Sequence, residues 1–145
     1  MKKTELMRKA AESYPEIFDA ELIDTVQEGD IPDPALWKIL VLPAMPKTKT
    51  AGGILLADDS KEAEKYNNHR SLVLSVGPLA YKDPNRFKEH PDATTTVAGC
   101  KPGDFIAHGK YAGQKIQVGE VVMMFLNDDE ISGIIPNPAA LAAYV

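Results

Sequence analysis

Few side chains in this sequence have the types and spacing that catalysis or metal binding requires. The histidines His69, His90 and His108 lie far apart and share no ligand spacing, so we predict surface or turn positions for them. The sequence has no P-loop, no Gly-x-Gly-x-x-Gly after a strand, no His-Glu-x-x-His and no Gly-x-Ser-x-Gly. We therefore expect no enzyme activity, no cofactor and no metal site.

One cysteine and two acidic runs are the remaining candidates for chemistry. Cys100 precedes Lys101, which could activate a thiol, but no base is adjacent, so we expect a structural cysteine. The runs Asp58-Asp59 and 128–130 lack the alternating ligand spacing of a calcium loop and are predicted to be solvated turns. Residues 109–113 are glycine-rich, but no helix follows to bind a phosphate, so a β-turn is predicted.

Length and charge exclude several classes of protein. The chain has 145 residues, 44% hydrophobic side chains, a formal net charge of −5 and a single cysteine. This length suits one domain with one core, and the acidic balance disfavours nucleic-acid binding. No apolar run approaches the roughly 20 residues that span a bilayer, and charges after Met1 interrupt any signal peptide. We expect a cytoplasmic domain without nucleic-acid or membrane partners.

The elements that position the candidate residues are mostly predicted strands. From residue 36 onward, short apolar runs end at glycine or proline, which indicates a small β-barrel or sandwich. The six predicted strands are residues 36–42, 72–76, 105–107, 115–118, 121–126 and 131–135.

The first 33 residues have a different pattern. Leu6, Met7, Ala10 and Tyr14 recur at helical spacing, and a second short amphipathic piece precedes the proline-rich stretch at 32–34. Two interpretations remain open at this point. The helices pack on the main domain or on a neighbouring subunit, or they form a docking element for an outside partner.

Two long connections are the places to look for function. Residues 43–68 and 78–101 exceed the usual loop length of a compact domain. The first contains Ile54, Leu55 and Leu56 directly after Gly52 and Gly53, so an aliphatic triplet stands within a polar stretch. It either folds back onto its own barrel or enters an apolar groove of a partner.

These residues resemble a known family. The stretch 50–56 is similar to the mobile loop of GroES-type co-chaperonins, and further matches follow in the family's order along residues 34–136. These matches are the strand and turn at 71–78, the Gly-Asp strand at 101–106, the Gly-Lys-Tyr-x-Gly turn at 109–113 and the last strands at 120–125 and 129–135. The chain is thus identified as a divergent member with an N-terminal extension.

The resemblance implies both an architecture and a function. It implies an N-terminal helical extension at 1–33, a small GroES-like β-barrel at 34–136 and a C-terminal tail at 137–145. Within the barrel, the mobile loop spans about 43–68 and the roof segment about 78–101. The implied function is that of a co-chaperonin, a heptameric ring that caps a GroEL-type chaperonin in an ATP-dependent manner and encloses an unfolded client. The partner binds the ATP.

The resemblance also assigns roles to particular residues. In the family, the last strand pairs with the first strand of the neighbouring subunit. Tyr111, together with Tyr81 and Phe87, either faces the enclosed chamber or packs in the core. The implied chaperonin-binding residues are Gly52, Gly53, Ile54, Leu55 and Leu56. The implied inter-subunit residues are Leu36, Ile39, Val41, Ile131, Ile134 and Ile135.

Some features depart from the family pattern. Trp37 and Lys38 stand where the family carries an Asp-Arg pair, and the roof segment is longer than usual. Two other classes remain as alternatives. One is an enzyme related to the GroES-like domain of zinc alcohol dehydrogenases, for which the ligand set and Rossmann half are missing. The other is a structural or ligand-binding barrel, such as a virion component.

Overall fold

A computed structural model describes residues 1–45, 70–82, 99–109 and 111–140. The mainly-β class is confirmed, because six antiparallel strands form one sheet in the order β4-β5-β1-β2-β3-β6. The elements are α1 (Lys3–Ser13), α2 (Ala20–Ile23), a 3-10 turn (Glu28–Asp30), β1 (Lys38–Pro43), β2 (Arg70–Val76), β3 (Phe105–His108), β4 (Gln114–Val118), β5 (Val121–Asn127), β6 (Ile131–Ile135) and a 3-10 turn (Pro138–Ala140).

Strand β1 lies at the centre of the sheet and is covered on both faces. Leu40 and Leu42 belong to the apolar cluster on one face, and Ile39 and Val41 belong to the cluster on the other. All four side chains are fully buried. Since successive side chains of a strand point to opposite faces, a strand buried on both sides needs a continuous apolar run, as this one has.

The N-terminal extension packs on the sheet of its own chain. It contributes eight buried apolar residues to the same cluster as Leu40, Leu42 and Met123. These are Met7, Ala10, Ala11, Ile17, Phe18, Ile23, Val26 and Ile31. The extension therefore completes the core on this face, so the first of the two interpretations holds in its main-domain form. The residues before and after the boundary predicted at residue 33 differ in sequence pattern, but they share one apolar core.

Aromatic contacts join the extension to strand β3. The rings of Tyr14 and Phe105 meet edge-to-face with centroids 5.3 Å apart, and Phe18 lies 6.1 Å from the same Phe105 ring. The Thr25 hydroxyl donates to the Leu22 carbonyl and accepts from the backbone N–H of Glu120 in the β4–β5 turn. The extension is thus fastened to the sheet at separate points.

Helix α1 is capped from a distance by Glu28. The Lys2 side chain, at the N-cap position, makes no capping hydrogen bond. Instead, the Glu28 carboxylate accepts from the backbone N–H of Lys3 at 3.0 Å and of Thr4 at 2.9 Å. Partial burial opposes ionisation of this carboxylate, but the hydrogen bonds from Thr4 and Lys3 and the Lys3 charge together outweigh that effect and lower the pKa of Glu28 below its ordinary value. The cap therefore ties the start of α1 to the end of the extension.

We expect Glu28→Ala to destabilise the protein by about 0.5 to 2 kcal/mol at pH 7, the usual cost of losing a helix cap. Because the folded pKa lies below the unfolded one, this stabilisation is present above about pH 4.3 and is lost as the pH falls through the folded pKa. Urea unfolding of both proteins between pH 7 and pH 3 measures the difference. Glu12→Ala is the control, because it removes an exposed acid at the other end of α1. A difference that stays constant down to pH 3 would contradict the capping role.

Candidate partner-binding and assembly surfaces

The predicted partner-binding residues Gly52, Gly53, Ile54, Leu55 and Leu56 lie outside the described residues. The structure does describe the two ends of their segment. Pro43 pairs with Ser71, and the Ala44 N–H donates to the Arg70 carbonyl at 3.0 Å. The chain therefore leaves the sheet after β1 and re-enters it at the neighbouring strand β2, at the same end of the two strands. A connection of this kind can be long without disturbing the strands that carry it.

The predicted inter-subunit pairing of Ile39 and Val41 is wrong. The hydrogen-bonding sides of β1 are both occupied within the subunit, by β2 and by β5. Ile39 pairs with Val76 and Leu126, and both Ile39 and Val41 are fully buried. A strand with two partners has no open edge, so these residues hold the subunit's own sheet together.

Strand β6 does lie at an end of the sheet. It pairs with β3 on one side, and its other side has no strand neighbour in the part of the chain that the structure describes. Ile134 is 43% exposed, Ile131 is half-buried and Ile135 is buried. The strand at the opposite end, β4, carries polar Gln114 and Lys115. The assembly role of Ile131, Ile134 and Ile135 stays a prediction, and an apolar open edge is compatible with it.

A second apolar surface surrounds Leu36 just before β1. Leu36, Trp37 and Leu79 are exposed, and the Leu36 carbonyl accepts from the Leu79 N–H at 2.9 Å. The backbone of Leu36 has a φ of 53°, which is uncommon for a residue other than glycine. Gly77 makes the close approach possible, because a Cβ there would lie 2.4 Å from the Leu36 oxygen. The predicted assembly role of Leu36 stays a prediction. Leu79 was not singled out from the sequence, since only the turn places it beside Leu36.

The aromatic residues proposed for the chamber have different environments. Tyr111 is 92% exposed in the turn before β4, so core packing does not account for it. Tyr81 is half-buried, and its hydroxyl lies 3.3 Å from the Cys100 sulfur. Burial and this contact raise the pKa of Tyr81 above its ordinary value. Phe87 lies outside the described residues. Tyr111 therefore keeps its predicted chamber-facing role as a prediction, whereas Tyr81 belongs to the core.

The cysteine is buried and belongs to a structural cluster. Burial raises the pKa of the Cys100 thiol, which disfavours the reactive thiolate. Asp128, only 1% exposed, accepts from the Tyr81 N–H at 2.9 Å. The prediction of a solvated turn is therefore wrong at Asp128, because tertiary packing buries the carboxylate and supplies it with a backbone donor. Tyr81 adopts a φ of 61° here, for which the sequence carries no signal.

Only one of the three histidines, His108, lies among the described residues. His69 and His90 lie outside the described residues. His108 is 4% exposed rather than at the surface, and its Nε2 lies 2.6 Å from the Ser71 hydroxyl. Its Nδ1 lies 3.0 Å from the Gly109 carbonyl oxygen, which only accepts, so Nδ1 donates this hydrogen bond. Among the described residues, no group of three or more His, Cys, Asp or Glu could hold a metal ion.

Comparison with known proteins identifies the family. Residues 33–135 match the family model described as Chaperonin 10 Kd subunit. The co-chaperonins GroES of Francisella tularensis subsp. holarctica and Francisella philomiragia are each 30% identical to this chain over 98 residues, covering 68% of this chain and 90% of the relative. The chain therefore belongs to the Chaperonin 10 Kd subunit family, as a divergent GroES-type member.

Family membership supports a co-chaperonin role. The matched region begins at residue 33, so the N-terminal extension lies almost entirely outside it. Among the described residues, every helix is too short to span a bilayer.

Proposed function

We propose that this protein is a cytoplasmic co-chaperonin that caps a GroEL-type chaperonin in an ATP-dependent manner and encloses an unfolded client. The observation that carries the proposal is the family match over 33–135, within which Gly52 to Leu56 stand in a segment that joins two adjacent strands. In this proposal, Ile54, Leu55 and Leu56 dock on the chaperonin and the two glycines form the turn before them. The chaperonin binds the nucleotide.

The weak binding expected of a single docking segment favours an oligomer. Fully burying three aliphatic side chains contributes about 5 to 9 kcal/mol. Fixing each backbone residue of the docking segment costs about 1 to 2 kcal/mol, which offsets most of that gain. One subunit therefore binds weakly. Several copies that engage together gain about 10² to 10⁴ in avidity, and they still release when the nucleotide state changes the partner.

The proposed oligomer is a heptameric ring. Its support in this chain is the apolar end strand β6, with Ile134 exposed, and the exposed surface of Leu36, Trp37 and Leu79. Contact between copies through such surfaces would remove apolar groups and an open strand edge from water. In this ring, Tyr111 faces the enclosed client.

Capture by a purified bacterial GroEL-type chaperonin tests the proposal. We expect the protein to co-sediment with the chaperonin in the presence of ATP and to remain in the supernatant without nucleotide. Native mass spectrometry of the free protein should give a multiple of the 15.8 kDa subunit. A monomer, or binding that ignores the nucleotide, would contradict the proposed function.

A further inference from the structure

We propose that the N-terminal extension is a positioning element for the chaperonin-binding segment, and that it acts by holding Met45. This inference rests on the proposed function, since it assigns a role to a residue at the start of the segment that docks. The family match begins at residue 33, so the extension that provides the contact is a feature of this chain beyond the matched region.

Met45 is the last described residue before the segment 46–69, and the extension contacts it twice. The backbone N–H of Met45 donates to the Ile17 carbonyl at 2.9 Å. The backbone N–H of Asp19 donates to the Met45 sulfur at 3.2 Å. The Met45 side chain is half-buried and packs against the apolar cluster that contains Phe18. Both the main chain and the side chain of Met45 are thus held by residues 17–19.

Residues 17–19 are themselves firmly placed. Phe18 is 2% exposed and Ile17 is 5% exposed. Both of their backbone N–H groups donate to the Tyr14 carbonyl, which ends the first helical stretch. The Asp19 carboxylate accepts from the Glu21 N–H and caps α2. Because these residues are fixed in the core, their contacts hold Met45 in a fixed place relative to the core.

The neighbours of Met45 in the sequence strengthen the effect. On one side, the Ala44 N–H is bound to the Arg70 carbonyl, so the chain reaches Met45 from a fixed strand end. On the other side stands Pro46, and a residue before proline is restricted to extended conformations. The segment therefore begins from a residue with little conformational freedom. Since each further backbone residue fixed on binding lowers affinity by about five- to thirtyfold, an anchored start favours docking.

Met45→Ala tests the inference in the full-length oligomer. Removing the side chain takes away the sulfur acceptor and the packing that keep the Met45 N–H against Ile17. We expect the amide of residue 45 to exchange with solvent about tenfold faster in the free protein. We expect the Kd for a purified bacterial GroEL-type chaperonin with ATP to rise at least about fivefold.

Two control variants separate positioning from general stability. Met45→Leu keeps the apolar packing and the main-chain bond to Ile17 and loses only the weak sulfur acceptor, so both measurements should lie closer to wild type than to Met45→Ala. Thr25→Val loosens the extension at the β4–β5 turn, away from Met45, so it should lower the urea midpoint and leave the Kd unchanged. An Ala variant with faster exchange and the wild-type Kd would overturn the positioning role alone. A wild-type protein that binds no chaperonin would overturn the proposed function and this inference with it.

Discussion

Leu55→Asp is expected to abolish ATP-dependent binding to a GroEL-type chaperonin. In the proposed function, Leu55 enters an apolar groove of the partner together with Ile54 and Leu56. The substitution loses about 2 kcal/mol of apolar burial and places a carboxylate where it has no partner, which costs several kcal/mol more. Each subunit of the ring carries the change, so the loss of at least about a hundredfold per site multiplies across the assembly.

Co-sedimentation with the chaperonin and ATP measures this effect. Leu55→Met is the matched control, because it preserves apolar volume and should bind close to wild type. The native mass and the urea midpoint of both variants should equal those of wild type, since the substitution lies in the connection between two completed strands. Capping that survives Leu55→Asp would refute the role of the triplet. Loss of the oligomer in Leu55→Asp would show that the substitution disrupts assembly and not docking.

The second large effect is expected at Phe18, in the extension. Phe18 is 2% exposed and packs among the residues that cover Leu40, Leu42 and Met123. Phe18→Ala should lower the free energy of unfolding by about 3 to 5 kcal/mol, because it removes buried apolar area and leaves a cavity. Since the total stability of a domain is about 5 to 15 kcal/mol, this change threatens the fold of the sheet as well as that of the extension.

Urea unfolding followed by a probe next to the sheet, such as the fluorescence of Trp37 directly before β1, measures that loss. Tyr111→Ala is the aromatic control, because Tyr111 is 92% exposed and its removal should change stability by less than about 0.5 kcal/mol. A Phe18→Ala variant whose sheet unfolds at the wild-type midpoint would show that the extension is only an appendage.

Strand β1 shows what can and cannot be predicted from the sequence. Its continuous apolar run correctly predicts a buried strand, because burial on both faces leaves no polar positions. The resemblance also places this run at a subunit edge, and this prediction is wrong at Ile39 and Val41. The pairing of Lys38 with Asn127 joins residues far apart in the chain, and nothing near β1 in the sequence specifies it.

The Glu28 cap and Asp128 show the same limit for polar groups. Glu28 lies far from α1 in the chain, so no local capping motif predicts the hydrogen bonds that it accepts from the Lys3 and Thr4 N–H groups. Asp128 begins an acidic run that predicts a solvated turn, yet the fold buries Asp128 and brings the Tyr81 N–H to its carboxylate. Local patterns describe the preferences of a residue, whereas its partner depends on which distant segments pack beside it.

From the amino-acid order alone, the family, the mainly-β class and six strands could be predicted, whereas the docking role of the aliphatic triplet stays a prediction. Each of these depends on composition, on the period of a local pattern or on an ordered set of motifs. Only the tertiary structure decided that β1 is central, that the extension completes the core and that Met45 is held by Ile17 and Asp19. The physical reason is that apolar periodicity shows that a face must be buried, but not which surface covers it.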